Sequence, residues 1–358
     1  MTARLTRPVA VALVLLLGAL LIWAVILPVA PVSMATETAP YNDARLYADI
    51  VAAVAGGKNY YLAVADLHRA HGYPLQPFFA VRLPSLAWAA ALLGWPVLRA
   101  IAFLLLMAGG LTWFSALQPE HGWGELLSGL LFAVVLGGAM ESANGMLFMH
   151  ESWVGLLLFP ALPILWAWPD RWPIAWILAA LALVLRELAL PFVLLAGAHA
   201  LVRRDWQQLA AWTGLVATFA VIVALHRAQV LTVARADDMA SAGWHSLGGP
   251  SQFVGAAIQS SSLQLLPPAI ARMAALLPLF GFLALRGPRA LLVWLWFAGM
   301  ALAIALFARP DNVYWGFVLM PAYMIGLALV PRLIWDIGQG LAGKRGNGPL
   351  IAREIRAD

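Results

Sequence analysis

The sequence predicts an all-α, polytopic membrane protein, and three observations carry that prediction. Of 358 residues, 63% are apolar and only 11% charged, far from the mix of a soluble domain. Apolar runs repeatedly reach the ~20 residues that a helix needs to cross a bilayer core. No polar segment is long enough for a separate soluble domain. Residues 1–335 therefore read as one membrane unit, followed by a basic cytoplasmic tail, 336–358. The chain has no cysteine, which excludes thiolate metal sites, redox pairs and disulfides. A net charge of +5 could point to nucleic acid, but most of the excess sits in short loops, where the positive-inside bias puts it. No nucleic-acid partner is expected.

The N-terminus, "MTARLTRPVAVALVLLLGALLIWAVILPVA", starts like a signal peptide. Its apolar run exceeds the ~7–15 residues of a leader's core, which favours a retained first span over 8–29. Arg4 and Arg7 place its start in the cytoplasm. A first outer loop, 31–84, follows, and its polar stretch from Asp43 has the pattern of an interfacial helix. At 100° per residue Asp43, Tyr47, Ile50 and Val54 share one face, while Arg45 and Asp49 face water.

The stretch 85–117 is too long for one span and too short for two. "GWP" at 94–96 divides it into a short interfacial or re-entrant helix and a full span over 97–117. Spans three (125–140) and four (153–168) are joined outside by "ESANGMLFMHES". In the segment near 173–202, a single helix would bury Arg186 and Glu187 at mid-bilayer, at ~2.5–3.5 kcal/mol for the Arg alone. A hairpin of two short helices turning at that pair avoids the cost. It also keeps Arg203 and Arg204, "RGPR" at 286–289 and the tail on the inner side. Span seven (207–226), a long outer loop (227–267) and spans eight (268–285), nine (290–307) and ten (314–334) complete about ten membrane segments. No internal repeat of the kind that marks many transporters is evident.

On this map the unusual polar residues gather outside: Asp43, Arg82, Glu141, His150, Glu151, Arg186, Glu187, Arg309 and Asp311. Each has an ordinary alternative. Asn42 or Asp43 can cap a helix, and Arg82 can be a snorkelling anchor. Glu151 can sit on a helix start, Arg186 and Glu187 can pair at a hairpin tip, and Asp311 can cap span ten. Asp237, Asp238 and "GWHSLGGPS" read as ordinary loop chemistry. "MHESW" fails as a zinc motif, because Val154 stands where the second His would be. The joint placement on one side, from four separate loops, is the functional clue.

This layout resembles the GT-C superfamily of integral-membrane glycosyltransferases, over most of the chain. "NDARLYADIVAAVAGGKNYY" is similar to that family's first outer loop, with its essential acid soon after span one, which carries to Asp43. "FFAVRLPSLAW" resembles the Arg/Pro entry to the next helix, carrying to Arg82 and Pro84. A second acid in the second outer loop carries to Glu151, with Glu141 in reserve. "ARPDNVYWGFVLMPAYMIGLAL" resembles the last-span signature, carrying to Arg309 and Tyr314. The chain departs from the family in lacking a tight Asp-x-Asp pair and a large C-terminal periplasmic domain.

The resemblance implies a bacterial inner-membrane enzyme of cell-envelope glycans with its active site on the periplasmic face. No cytoplasmic domain is expected that could hold a nucleotide sugar. The expected donor is a sugar on a polyprenyl phosphate and the acceptor a lipid or glycan hydroxyl, with membrane lipids as surroundings. Asp43 would be the base and Glu151 the second catalytic acid. Arg309, Arg186 and Arg82 would hold the phosphate, supported by Tyr47, His150, Glu187, Asp311 and Tyr314. No cofactor is required; a divalent cation held by Asp43 and Glu151 is the open option. Two rival readings use the same residues. One is a transporter or flippase of a lipid-linked glycan, against which the apolar span centres argue. The other is a structural membrane subunit whose polar groups only cap helices.

Overall fold

The computed structural model describes residues 5–26, 41–117, 129, 133, 134, 137, 138, 145–243 and 246–343. Most of the expected third span lies outside the described residues, as do Glu141 and the tail from 344 on. Among the described residues the chain is helical, and its one β contact is an isolated bridge between Gln76 and Ala240.

Helix α1, Arg7–Ile26, is apolar all round and buries only Ala10 and Ala24. A helix of that kind needs an apolar solvent, and at ~1.5 Å per residue its length matches a bilayer core. Among the described residues it is one of four stretches long and apolar enough to cross a membrane; the others are 78–117, Trp206–Val233 and Ala290–Phe307.

The segment expected as the first outer loop contains α2 (Asp43–Ala55) and α3 (Tyr60–His71). The expected interfacial helix thus starts where its polar pattern begins. Asp49 corrects the reading of a merely solvated side chain, because it accepts a 2.8 Å hydrogen bond from the Tyr41 hydroxyl. Helix α4, Ser85–Leu117, bends at Gly94, whose φ of 76° and ψ of 155° lie outside helical space. Such a φ suits a residue without Cβ, and Pro96 removes one further helical hydrogen bond. The short helix and full span expected across "GWP" are the two halves of α4.

Helix α5, His150–Ala167, is the axis of the bundle, with nearly every side chain buried. It packs chiefly against α4 and α6, Trp172–Leu185. Helix α6 turns at Arg186 into α7, Leu190–Arg203, giving the expected hairpin. Each arm has 14 residues, about 21 Å long at ~1.5 Å per residue.

Three boundaries differ from expectation. Helix α8, Trp206–Val233, runs past 226. Its last turns bury His226 and Val230 against α3 and the turn at Phe78–Ala80, which rewards continuing the helix. The long outer loop contains α9, Gly249–Gln259, an interior helix packed against α11, Ala290–Phe307. The loop is also clamped, since Arg69 of α3 holds Asp238 at 2.6 and 2.9 Å. The last span is not one α-helix from 314. It begins as 3₁₀ segments, Val313–Val318 and Ala322–Met324, before α12, Ile325–Leu341. Pro321 lacks the amide hydrogen that an uninterrupted helix needs. Helix α5 also lies so close that a Cβ on Gly155 would meet the Phe317 and Met320 carbonyls. Helix α12 extends past 335, and Asp336 pairs with Arg286 at 3.0 Å. Helix α10, Pro268–Gly281, completes the packing beside α1 and α12.

The two ends of α5 differ in chemistry. At its C-terminal end Arg289 donates to the Leu165 carbonyl at 3.2 Å. At its N-terminal end stand His150, Glu151 and the tip of the α6–α7 hairpin.

Candidate functional site

A cavity of about 490 Å³ opens at that N-terminal end, walled by α2, α3, the approach to α4, the hairpin tip and the segment before Val313. Its walls derive from local sequence. The Asn42 side chain caps α2 by accepting from the Arg45 amide at 3.1 Å. Asp43 is thereby released from capping and lines the cavity instead. The Tyr73 hydroxyl lies close enough to its carboxylate to favour the charged form. Burial raises the Asp43 pKa above the ordinary value, outweighing the opposing pull of Tyr73 and of the Arg82 charge.

Arg82 is held by its backbone. The Tyr60 hydroxyl donates to the Arg82 carbonyl at 2.7 Å, and His226 Nε2 donates to the Val81 carbonyl at 3.1 Å. Arg82 lines the cavity, where its guanidinium lies near the Tyr47 phenol and 3.9 Å from Glu151 Oε1. Burial pushes the Tyr47 phenol up to about 12.

Arg186 is buried, with its side chain 2% exposed. Its Nε donates to Glu151 Oε1 at 2.7 Å and its Nη1 to Glu187. The expected pairing of Arg186 with Glu187 therefore forms, but Glu151, 35 residues earlier, is its second partner. Arg309 sits at the rim, holding Asp311 at 3.0 and 3.1 Å and the Ala242 carbonyl at 2.8 Å. The Tyr314 hydroxyl donates to Asn312 at 3.1 Å.

Of the ten residues singled out in sequence, Asp43, Tyr47, Arg82, Arg186, Arg309, Asp311 and Tyr314 line this one cavity. Three do not. Glu151 is 1% exposed and lies beneath the floor, so it serves the guanidinium groups as counter-ion rather than facing a ligand. Glu187 lies beyond Arg186. His150 is edge-on to Tyr47 and lines a small adjoining gap. The lining residues that the sequence reading missed include His68 and Tyr73. The signal for Tyr73 was present in "HGYP": Gly72, at φ 71°, ends α3 in a left-handed cap and turns the chain back.

The donor set does not suit a divalent cation shared by Asp43 and Glu151. The Glu151 carboxylate is already neutralised by two guanidinium groups. Among the described residues no group of three or more metal-ligating side chains gathers.

Pairing off the charges leaves a short remainder. Glu151 and Glu187 satisfy Arg186, and Asp311 satisfies Arg309. Among the described residues Arg82, whose 3.9 Å pairing with Glu151 is longer than that of Arg186, and Asp43 keep bonding capacity toward the cavity. Together they can hold an anion and take a proton within a single pocket. No protein-family profile matches the chain, nor does any curated protein or solved structure. Function is therefore read from these residues.

Proposed function

We propose that this chain is a membrane glycosyltransferase that moves a sugar from a polyprenyl-phosphate donor to a hydroxyl acceptor. The observation that carries the reading is the convergence of an acid, Asp43, and a guanidinium only loosely paired, Arg82, in one cavity beside apolar helices. Exposed Trp88, Leu92 and Leu93 on the first half of α4 offer the polyprenyl tail an apolar surface near Arg82. A placement with about ten membrane segments, both termini cytoplasmic and the cavity periplasmic in a bacterial inner membrane goes with this reading.

In the proposed reaction Asp43 accepts the proton of the acceptor hydroxyl. The oxygen attacks the anomeric carbon, and the bond from that carbon to the phosphate oxygen breaks. The electron pair leaves with the phosphate, whose charge Arg82 stabilises through charge-assisted hydrogen bonds. One displacement inverts the anomeric centre. A carboxyl with a raised pKa suits this work, because a general base is most effective near its operating pH.

The test is transfer in proteoliposomes from a panel of polyprenyl-phosphate sugars. Asp43→Asn should lower turnover by roughly 10²–10⁴-fold without loss of the folded bundle. Full activity in that variant would remove Asp43 as base. Transbilayer movement of a lipid-linked glycan, with no sugar transferred by the wild type, would replace the enzyme by a transporter.

A further inference from the structure

His68 belongs to no role assigned above, yet it faces the same cavity. It lies on α3 and is only 6% exposed. Its Nδ1 is 2.9 Å from the Pro74 carbonyl. A carbonyl only accepts, so the ring proton must sit on Nδ1, leaving Nε2 with a lone pair. That Nε2 makes no hydrogen bond to a described residue. Burial depresses the pKa to about 4, which keeps the ring uncharged at neutral pH. Tyr73 joins the two acceptors, because its ring lies 5.7 Å from His68 while its hydroxyl reaches Asp43.

An acceptor that lines a cavity and has no protein partner is free to take a hydrogen bond from a ligand that can donate one. A fully ionised phosphate has no proton to give, so it cannot satisfy Nε2. A hydroxyl can. Resting on the glycosyltransferase reading, we infer that His68 is a specificity residue whose Nε2 accepts a hydrogen bond from a hydroxyl of the transferred sugar. The cavity then divides by chemistry. The Arg82 side takes the phosphate, and the His68–Tyr73–Asp43 side takes hydroxyl donors.

The experiment is calorimetric titration of the purified full chain in detergent. The probes, at about pH 8, are methyl phosphate, a monoester that is then without a P–OH proton, and glucose, mannose and galactose 1-phosphates. The wild type should bind at least one hexose 1-phosphate more tightly than methyl phosphate, by more than about 3-fold. His68→Phe should cut that ratio by roughly 3–10-fold, the range for one neutral hydrogen bond, while methyl phosphate affinity stays within about 2-fold. His68→Gln, whose amide oxygen can occupy the place of Nε2, should retain most of the ratio. An unchanged ratio in His68→Phe overturns the assignment, as does an equal loss of methyl phosphate binding, which would mark a structural role. Two failures separate cleanly. A wild type that binds methyl phosphate but shows no sugar preference defeats only the His68 inference. A wild type that binds neither probe removes the anion site and, with it, the transfer reading.

Discussion

The floor of the cavity and the wall built by the first outer loop use similar residues to opposite ends. At the floor, Glu151, Arg186 and Glu187 bind one another, and Arg186 and Glu151 are almost fully buried. On the wall, Asp43, His68 and Arg82 keep bonding capacity that faces open space. A buried charge without its partner is heavily penalised, so the floor charges are committed to architecture. Groups that keep spare capacity toward the cavity are free for chemistry.

The comparison can be broken first at the floor. Glu151→Ala leaves the Arg186 guanidinium short of a partner and should destabilise the chain by ~3–5 kcal/mol. Glu151→Gln, which keeps an acceptor, should cost less. Thermal unfolding in detergent reads both, and native-like stability of Glu151→Ala would make the floor no different from the wall.

The wall should respond in binding rather than stability. Arg82→Gln removes charge-assisted bonds of ~1.5–3 kcal/mol each, so phosphate affinity should fall roughly 10–100-fold. Its unfolding should shift less than that of Glu151→Ala, because Arg82 pairs with Glu151 at 3.9 Å while Arg186 holds it at 2.7 Å. Destabilisation as large as that of Glu151→Ala would erase the distinction between the regions.

The smallest effect tunes the acid. Tyr73 favours the charged form of Asp43 and so lowers its pKa against the effect of burial. Tyr73→Phe removes that support, and the pKa should rise further. The acid limb of the pH–rate profile should then move upward by about 0.5–1 pH, the equivalent of one hydrogen bond. Movement towards lower pH would show that Tyr73 does not favour the charged form of Asp43.

Much of the scaffold was legible before any coordinates. The hairpin at Arg186 followed from the cost of a mid-bilayer charge, and the bend in α4 from Gly94 and Pro96. The start of α2 followed from its polar face. Less legible were features that depend on distant partners. Helix α9 reads as loop because its burial comes from α11 and the segment from Val313. Asp238 looked like turn chemistry until Arg69, 169 residues earlier, was beside it. Glu151 looked like a site acid because nothing local shows that two guanidinium groups would claim it.

By itself the sequence determined the solvent, the helical class and the end of the bundle where ionisable groups collect. Those follow from hydropathy and from the price of charge in hydrocarbon, which are properties of single segments. Tertiary structure decided which of those groups are spent and which remain available. Pairing depends on side-chain positions to within a few tenths of an ångström, across elements that only packing brings together. That is why Glu151 sank beneath the floor while His68, which no motif marks, came to face the cavity.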